Sequence, residues 1–308
     1  PDFKILSSAT LSDRAVAPNR PMIYGIGFVA GVVLNFFFIG LIYVINNKIM
    51  GVQEIEGGTQ APILGVIPEM RNKSTSPFYI VDHPRSVVSE AIRTLRTNLD
   101  FFASEHTKKV IVISSTVSGE GKSFLAMNLG GILALSRKKV ILLDLDMRKA
   151  KAHAYANVDP NKGVSSILIH RNTPEECIIH TAVEGFDFIP SGIHPPNPSE
   201  LLLNGEFEGL LRKLRETYDY IVIDTPPVGL VTDGIMAMKR ADLSIYVVRA
   251  NYSKKEFLRN IDRIISINKL SNVSVVLNAL PNSGKTYGYG YYQEDGLKKS
   301  WKKKLFRQ

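Results

Sequence analysis

The sequence predicts an α/β protein with a doubly wound, mostly parallel sheet, preceded by one membrane-spanning helix. Three observations predict it. Apolar runs of strand length at about 109–114, 139–144, 185–190, 220–224, 243–249 and 273–278 alternate with helical segments at about 122–136, 198–217, 230–240 and 254–269. Such alternation places helices on both faces of a parallel sheet. The ten residues Ser114 to Ser123, SSTVSGEGKS, join the first of those strands to the first of those helices, and the stretch from Met22 to Ile45 holds no charged residue.

Taken in order, residues 1–20 read as a polar extracytoplasmic lead and 21–47 as the membrane helix. The uncharged run of 24 residues is long enough, at about 1.5 Å per residue, to cross a hydrocarbon core of roughly 30 Å. Tyr24 and Tyr43 near its ends, with Arg20 and Lys48 flanking it, fit a span. The run is too long for a signal peptide, and no convincing cleavage site follows it; a buried core helix is the competing reading. Without an initiator Met, the chain reads as a piece of a longer membrane protein cut before its last span. Residues 48–82, rich in Gly, Pro, Ser and Thr, read as a linker with one short strand at 63–67. The catalytic domain is expected over 83–280, opening with an amphipathic helix from Ser86 to Phe102 that carries Glu90, Arg93 and Arg96 along one side. Residues 281–308 leave the fold: Tyr287, Tyr289, Tyr291 and Tyr292 are interrupted by glycines, and a basic run with Trp301 and Phe306 follows. Glycine-interrupted tyrosines make a poor core element and read as displayed.

The loop between the first strand and its helix has the chemistry of a phosphate cradle. Gly119 and Gly121 let backbone N–H groups turn toward anionic oxygens, and the helix start adds the positive end of its dipole. Lys122 can reach the β- and γ-phosphates, and Ser123 can hold Mg²⁺. The candidate nucleotide-binding residues are therefore Ser118, Gly119, Glu120, Gly121, Lys122, Ser123 and Phe124. Thr116 stands where the plain GxxxxGK[ST] pattern has its first glycine, so the loop is a variant. Two further strands end in carboxylates. The run ILLDLDMR carries Asp144 and Asp146, which strand alternation would set on one face about 7 Å apart, and YIVID ends in Asp224 just before Thr225-Pro226-Pro227. Acids at the carboxyl edge of a parallel sheet lie where such sheets bind ligands, and they suit Mg²⁺. ATP and Mg²⁺ are the implied cofactors. Both are cytoplasmic, which puts the chain after Lys48 inside and residues 1–20 outside.

Composition bounds the rest. The chain has 308 residues, 44% of them hydrophobic, a net charge of +9 and one cysteine. That length can bury one large core or two modest ones. Cys177 has no intramolecular disulfide partner, agrees with a reducing compartment and reads as structural. Much of the positive charge lies in the tail, where it suits an anionic inner leaflet. No recognition motif or aromatic platform within the folded part speaks for nucleic acid.

The variant loop SSTVSGEGKS, the ILLDLDMR and YIVIDTPPV strands, Glu90-x-x-Arg93-x-x-Arg96, the phrase Pro195-Pro-Asn-Pro-Ser-Glu-Leu-Leu202 and the tyrosine cluster together resemble the bacterial tyrosine kinase family. More narrowly, they resemble its polysaccharide co-polymerase members of the Wzc type, in which a C-terminal membrane span precedes a cytoplasmic kinase domain. The resemblance covers the chain from the span onward. It implies a phosphate-loop NTPase fold and autophosphorylation of Tyr287, Tyr289, Tyr291 and Tyr292 in trans within a homo-oligomeric ring, an octamer by the family's pattern. It also implies control of capsular or exopolysaccharide polymerisation and export at the bacterial inner membrane, with a phosphotyrosine phosphatase and the export machinery as partners. Asp146 and Asp224 would organise the metal, Asp144 would orient or deprotonate the incoming tyrosine, and Glu90, Arg93 and Arg96 would form the ring contact. Asn278 is a candidate adenine contact by the same resemblance. A membrane-bound ATPase switch and a non-catalytic chain-length-regulating scaffold remain the alternatives. A partition-type ATPase would carry a further lysine at the start of the loop, which SSTVS lacks.

Overall fold

The computed structural model describes residues 19–70, 76–102, 109–147 and 159–281. It divides into two units, one before and one after the Asn47–Lys48 bond.

The first unit is α1 (Arg20–Ile45), 26 residues with no acidic or basic side chain in its terminal turns beyond Arg20 itself. Its Met22, Tyr24, Phe28, Phe36 and Phe37 are all exposed. Among the described residues it is the one helix long and apolar enough to cross a membrane. It stands near the N-terminus of this chain.

The second unit runs on from Lys48 through α2 (Val52–Glu56), β1 (Ile63–Pro68), α3 (Tyr79–Asp82), α4 (Val87–Phe102), β2 (Lys109–Ser115), α5 (Lys122–Leu135) and β3 (Val140–Asp144). After these come α6 (Val164–Leu168), α7 (Pro174–Cys177), β4 (Ile179–His180), β5 (Phe186–Ile189), α8 (Pro198–Leu203), α9 (Glu206–Thr217) and β6 (Tyr220–Asp224). The last elements are α10 (Asp233–Met238), β7 (Leu243–Arg249), α11 (Glu256–Asn268) and β8 (Val273–Leu280). The strands form one sheet in the order β1-β8-β7-β2-β6-β3-β5-β4. Every pairing is parallel except β4 with β5.

Strand residues alternate between two cores, as the two-residue period of a strand requires. Val110, Val112, Ile221 and Ile223 join the layer built from α9, α10 and α11. Ile111, Ile113, Leu142 and Val222 join the layer built from α3, α4 and α5. From the central β2 the chain winds outward on both sides, which opens a crevice at the carboxyl ends of β2, β6 and β3.

Three expectations need correction. The folded unit begins at Lys48 and not near His83, because the supposed linker carries core residues: Ile49, Ile55, Leu64 and Ile67 are buried. Its strand β1 pairs with β8, Ile63 opposite Val275 and Val66 opposite Leu277. The short strand expected at 63–67 is thus part of the sheet, and Gly65 has a packing role in it. That glycine is where Leu95 of α4 comes so close that a Cβ would lie 2.5 Å from its side chain. The segment 76–82 is likewise built in. Asn128 on α5 accepts a hydrogen bond from Ile80 N at 3.1 Å and donates one to the Pro77 carbonyl at 3.2 Å. Third, the single helix expected over 198–217 is two, α8 and α9, broken at Asn204–Gly205.

Phe186 on β5 ties these parts together. It is 1% exposed and meets Phe78 edge-on with ring centroids 5.7 Å apart. Phe186→Ala should therefore lower unfolding stability by about 3–5 kcal/mol, read as the shift of the denaturant midpoint by circular dichroism. A shift worth less than about 1 kcal/mol would mean that this edge of the sheet is loosely packed.

Candidate active site

The phosphate loop starts where β2, buried along its whole length, ends at Ser115. The two positions that need a left-handed backbone are glycines, Gly119 at φ +90° and Gly121 at φ +102°. α5 begins directly afterwards with Lys122 and Ser123. Thr116, the departure from the plain pattern, has its own role. Its hydroxyl hydrogen-bonds the Tyr246 hydroxyl at 2.8 Å, and its carbonyl accepts from Gly229 N at 3.1 Å. The loop is thereby tied to β7 and to the segment after β6. Burial pushes the Tyr246 hydroxyl well above the ordinary tyrosine range, so it stays a neutral partner.

Glu120 is fully buried and turned to the back of the loop. Its carboxylate accepts from Val117 N at 2.8 Å and from Ser253 Oγ. Burial raises its pKa, against the lowering effect of those hydrogen bonds. Its side chain therefore braces the loop, which leaves the backbone as its contribution to a nucleotide.

The acids gather at the same edge. Asp144 and Asp224 end neighbouring parallel strands and are register partners, about 4.8 Å apart along the hydrogen-bonding direction. Ser123 Oγ donates to Asp224 Oδ2, which bridges the start of α5 to the end of β6. Asp146 arrives differently from the expectation. β3 stops at Asp144, and Asp146 lies past its end in a turn where its N–H donates to Asp144 Oδ1 at 2.9 Å. Leu145 N donates to the Asp224 carbonyl at 2.8 Å and fastens that turn to β6. Asp144, Asp146 and Asp224 are each 6% exposed or less, as is Lys122.

This is a hydroxyl and carboxylate donor set, all hard oxygen, and it fits Mg²⁺. Among the described residues no three His, Cys, Asp or Glu side chains converge as a cage for a metal. Mg²⁺ is commonly held by one or two carboxylates plus substrate phosphates, so the arrangement suits an ion that arrives with a nucleotide.

Comparison with known proteins decides the lineage. The family described as an AAA domain matches residues 108–276, more than half of the chain. The chain is 32% identical over 209 residues to the tyrosine-protein kinase YwqD of Bacillus subtilis, covering 68% of this chain and 88% of that one. The chain belongs to the bacterial tyrosine kinase family. It is also 30% identical over 287 residues to the tyrosine-protein kinase ptk of Acinetobacter johnsonii, where it covers 90% of itself but spans only 38% of that relative. Among solved structures, the kinase domain of the Escherichia coli tyrosine kinase ETK matches with a TM-score of 0.69 and 28% identity, over 77% of this chain and 98% of that one.

Within this bacterial kinase the other candidate residues fall as follows. Phe124 packs its ring edge-on against Tyr79, centroids 6.1 Å apart. Asn278 lies beneath the phosphate loop and donates from Nδ2 to the Glu120 carbonyl at 2.9 Å. Its Oδ1 accepts from Ala279 N at 2.9 Å, so this carboxamide faces the loop and its own turn. On α4, Arg93 pairs with Glu90 one turn away, and Arg96 donates to the Ser136 hydroxyl at the end of α5. Cys177 is buried, and burial raises its pKa, which makes it a poor nucleophile. Tyr287, Tyr289, Tyr291 and Tyr292 lie outside the described residues, as does the basic run.

Sequence reasoning missed Arg249, Tyr252 and Ser253, which reach the loop from the far end of β7. Arg249 donates to the Gly119 carbonyl and Tyr252 Oη to the Ser118 carbonyl, both at 2.9 Å. They are about 130 residues from the loop in sequence, and no local motif announces them.

Proposed function

We propose that the chain is a membrane-bound protein-tyrosine autokinase that transfers the γ-phosphoryl group of ATP to its own tail tyrosines, in trans between copies in a ring. The observation that carries the reading is the meeting of the phosphate loop, the Ser123–Asp224 bridge and Asp144 at one edge of the sheet. The kinase lineage supports the choice of tyrosine as acceptor. The regulatory role in capsular or exopolysaccharide polymerisation and export, a phosphatase partner and the inner-membrane location rest on the family resemblance. An apolar N-terminal helix supports membrane attachment.

In this reading the loop N–H groups and Lys122 bind and orient the β- and γ-phosphates. A loose phosphoryl-transfer transition state spreads charge over the γ-oxygens, so fixed positive charge and positioning carry the rate. Ser123 and Asp224 would hold Mg²⁺, with Asp146 completing the set, and the ion would neutralise charge on the phosphates. Asp144 orients the acceptor hydroxyl and takes its proton as the Oη–P bond forms and the bond to the β-phosphate oxygen breaks. The hydroxyl has an ordinary pKa near 10, so a carboxylate that accepts the proton late in transfer suffices. Each phosphorylated tyrosine gains roughly −1.5 to −2 charge, which repels it from this acidic edge and releases the tail.

Peptide mass spectrometry after incubation with MgATP tests the reading. Phosphate is expected on tyrosines between Tyr287 and Tyr292 and is expected to vanish when those four are replaced by Phe. ATP hydrolysis with no tail phosphate would favour the ATPase switch in its place.

A further inference from the structure

We propose that Arg249, Tyr252 and Asn278 are positioning residues that clamp the phosphate loop from behind and set its affinity for phosphate groups. The proposal rests on reading the loop as the triphosphate site.

A peptide unit is planar and trans, so the carbonyl of one residue and the N–H of the next point in opposite directions. A loop that turns successive N–H groups toward a ligand must therefore turn the preceding carbonyls to its other side. There they can take donors, and the buried one, on Glu120, would be costly to leave without one. The structure supplies three donors for three consecutive carbonyls. Tyr252 Oη donates to Ser118, Arg249 Nη1 to Gly119 and Asn278 Nδ2 to Glu120, each at 2.9 Å. By the trans geometry, the N–H groups of Gly119, Glu120 and Gly121 then face away from all three, toward the inner side of the loop.

The clamp is itself braced. The Arg249 guanidinium lies 5.5 Å from the Tyr252 ring centroid. Ser253 Oγ accepts from Arg249 N at 2.8 Å while donating to Glu120. Ile49 fastens the corner through its backbone: its N–H donates to the Ser253 carbonyl, and its carbonyl accepts from Asn251 N, both at 2.8 Å. Asn278 fits so closely that a Cβ on Gly121 would sit 2.0 Å from its Nδ2. None of the three side chains needs to touch the nucleotide; each acts through the loop.

The test measures binding of MgADP and of magnesium pyrophosphate to the full chain in detergent, with Tyr252→Phe, Arg249→Gln and Arg249→Lys. Tyr252→Phe should weaken MgADP about 3–10-fold and Arg249→Gln about 10-fold, as expected for single hydrogen bonds to a neutral carbonyl. Arg249→Lys, which keeps a donor, should recover most of the loss. Melting of the nucleotide-free protein should stay within about 2 °C, as for half-exposed side chains away from the core. Pyrophosphate, with no base or ribose, should weaken by the same factors. Unchanged MgADP affinity in both Tyr252→Phe and Arg249→Gln would overturn the clamp and leave the site reading standing. A loss for MgADP with none for pyrophosphate would assign these side chains to the base and also overturn it. Failure of the unsubstituted chain to bind either ligand would overturn the site reading and the clamp together.

Discussion

Lys122→Met should abolish tyrosine phosphorylation, by at least about a thousandfold, while the protein stays folded. The activity half follows from phosphoryl transfer, in which the protein does little covalent chemistry and the rate depends on fixed charge placed against the γ-oxygens. Lys122 is the first residue of α5, next to the glycines of the loop, from where its ammonium can reach those oxygens. The stability half follows from where that cation sits in the absence of nucleotide. It is 6% exposed and opens α5, where a side chain of matching length keeps the first turn filled. Methionine keeps the length and suits a helix, so α5 and the loop are expected to stay folded while the charge is removed. Phosphate transfer and thermal melting measured on the same preparation check both halves. Retained tail phosphorylation would refute the assignment of the loop, and loss of the cooperative melting transition would mean that Lys122 is structural.

Much of this site was legible in the sequence because its parts are local. The loop residues are consecutive, and the acids mark the ends of apolar strands, so one strand–loop–helix reading placed Lys122, Ser123, Asp144 and Asp224 at one edge. What escaped was whatever depends on partners far along the chain. The strand at 63–67 reads as part of a linker until Leu95 of α4 is seen against Gly65. Glu120 reads as a loop residue beside phosphate until Ser253 is seen to hold it from behind. Asp146 was placed by strand period, but the strand had ended, and a turn bonded to Asp144 positions it. Arg249 ends an ordinary apolar strand and Tyr252 follows it, and the pairing of β7 with β2 brings them to the loop. Period and propensity carry no information about such contacts, since they are set by sheet order.

Asp224→Asn should lower phosphotransfer about a hundredfold or more and leave nucleotide affinity nearly independent of Mg²⁺. Asparagine is isosteric, and its carbonyl oxygen can still accept from Ser123 Oγ, so the bridge from α5 to β6 survives. What is lost is one negative charge from the pair Asp144 and Asp224 at adjacent strand ends. A divalent ion in a mixed set of protein oxygens and phosphates depends on that charge, since neutral oxygen ligands hold it weakly. Asparagine keeps the volume and the hydrogen bond from Ser123, so the apo protein should melt close to the parent. The pairing of outcomes is diagnostic. A structural acid would lose stability on neutralisation and keep its metal dependence, whereas a metal-binding acid does the reverse. Titration of nucleotide affinity against Mg²⁺, beside a melting curve in EDTA, separates the two, and a variant with undiminished Mg²⁺ dependence would remove Asp224 from the metal set.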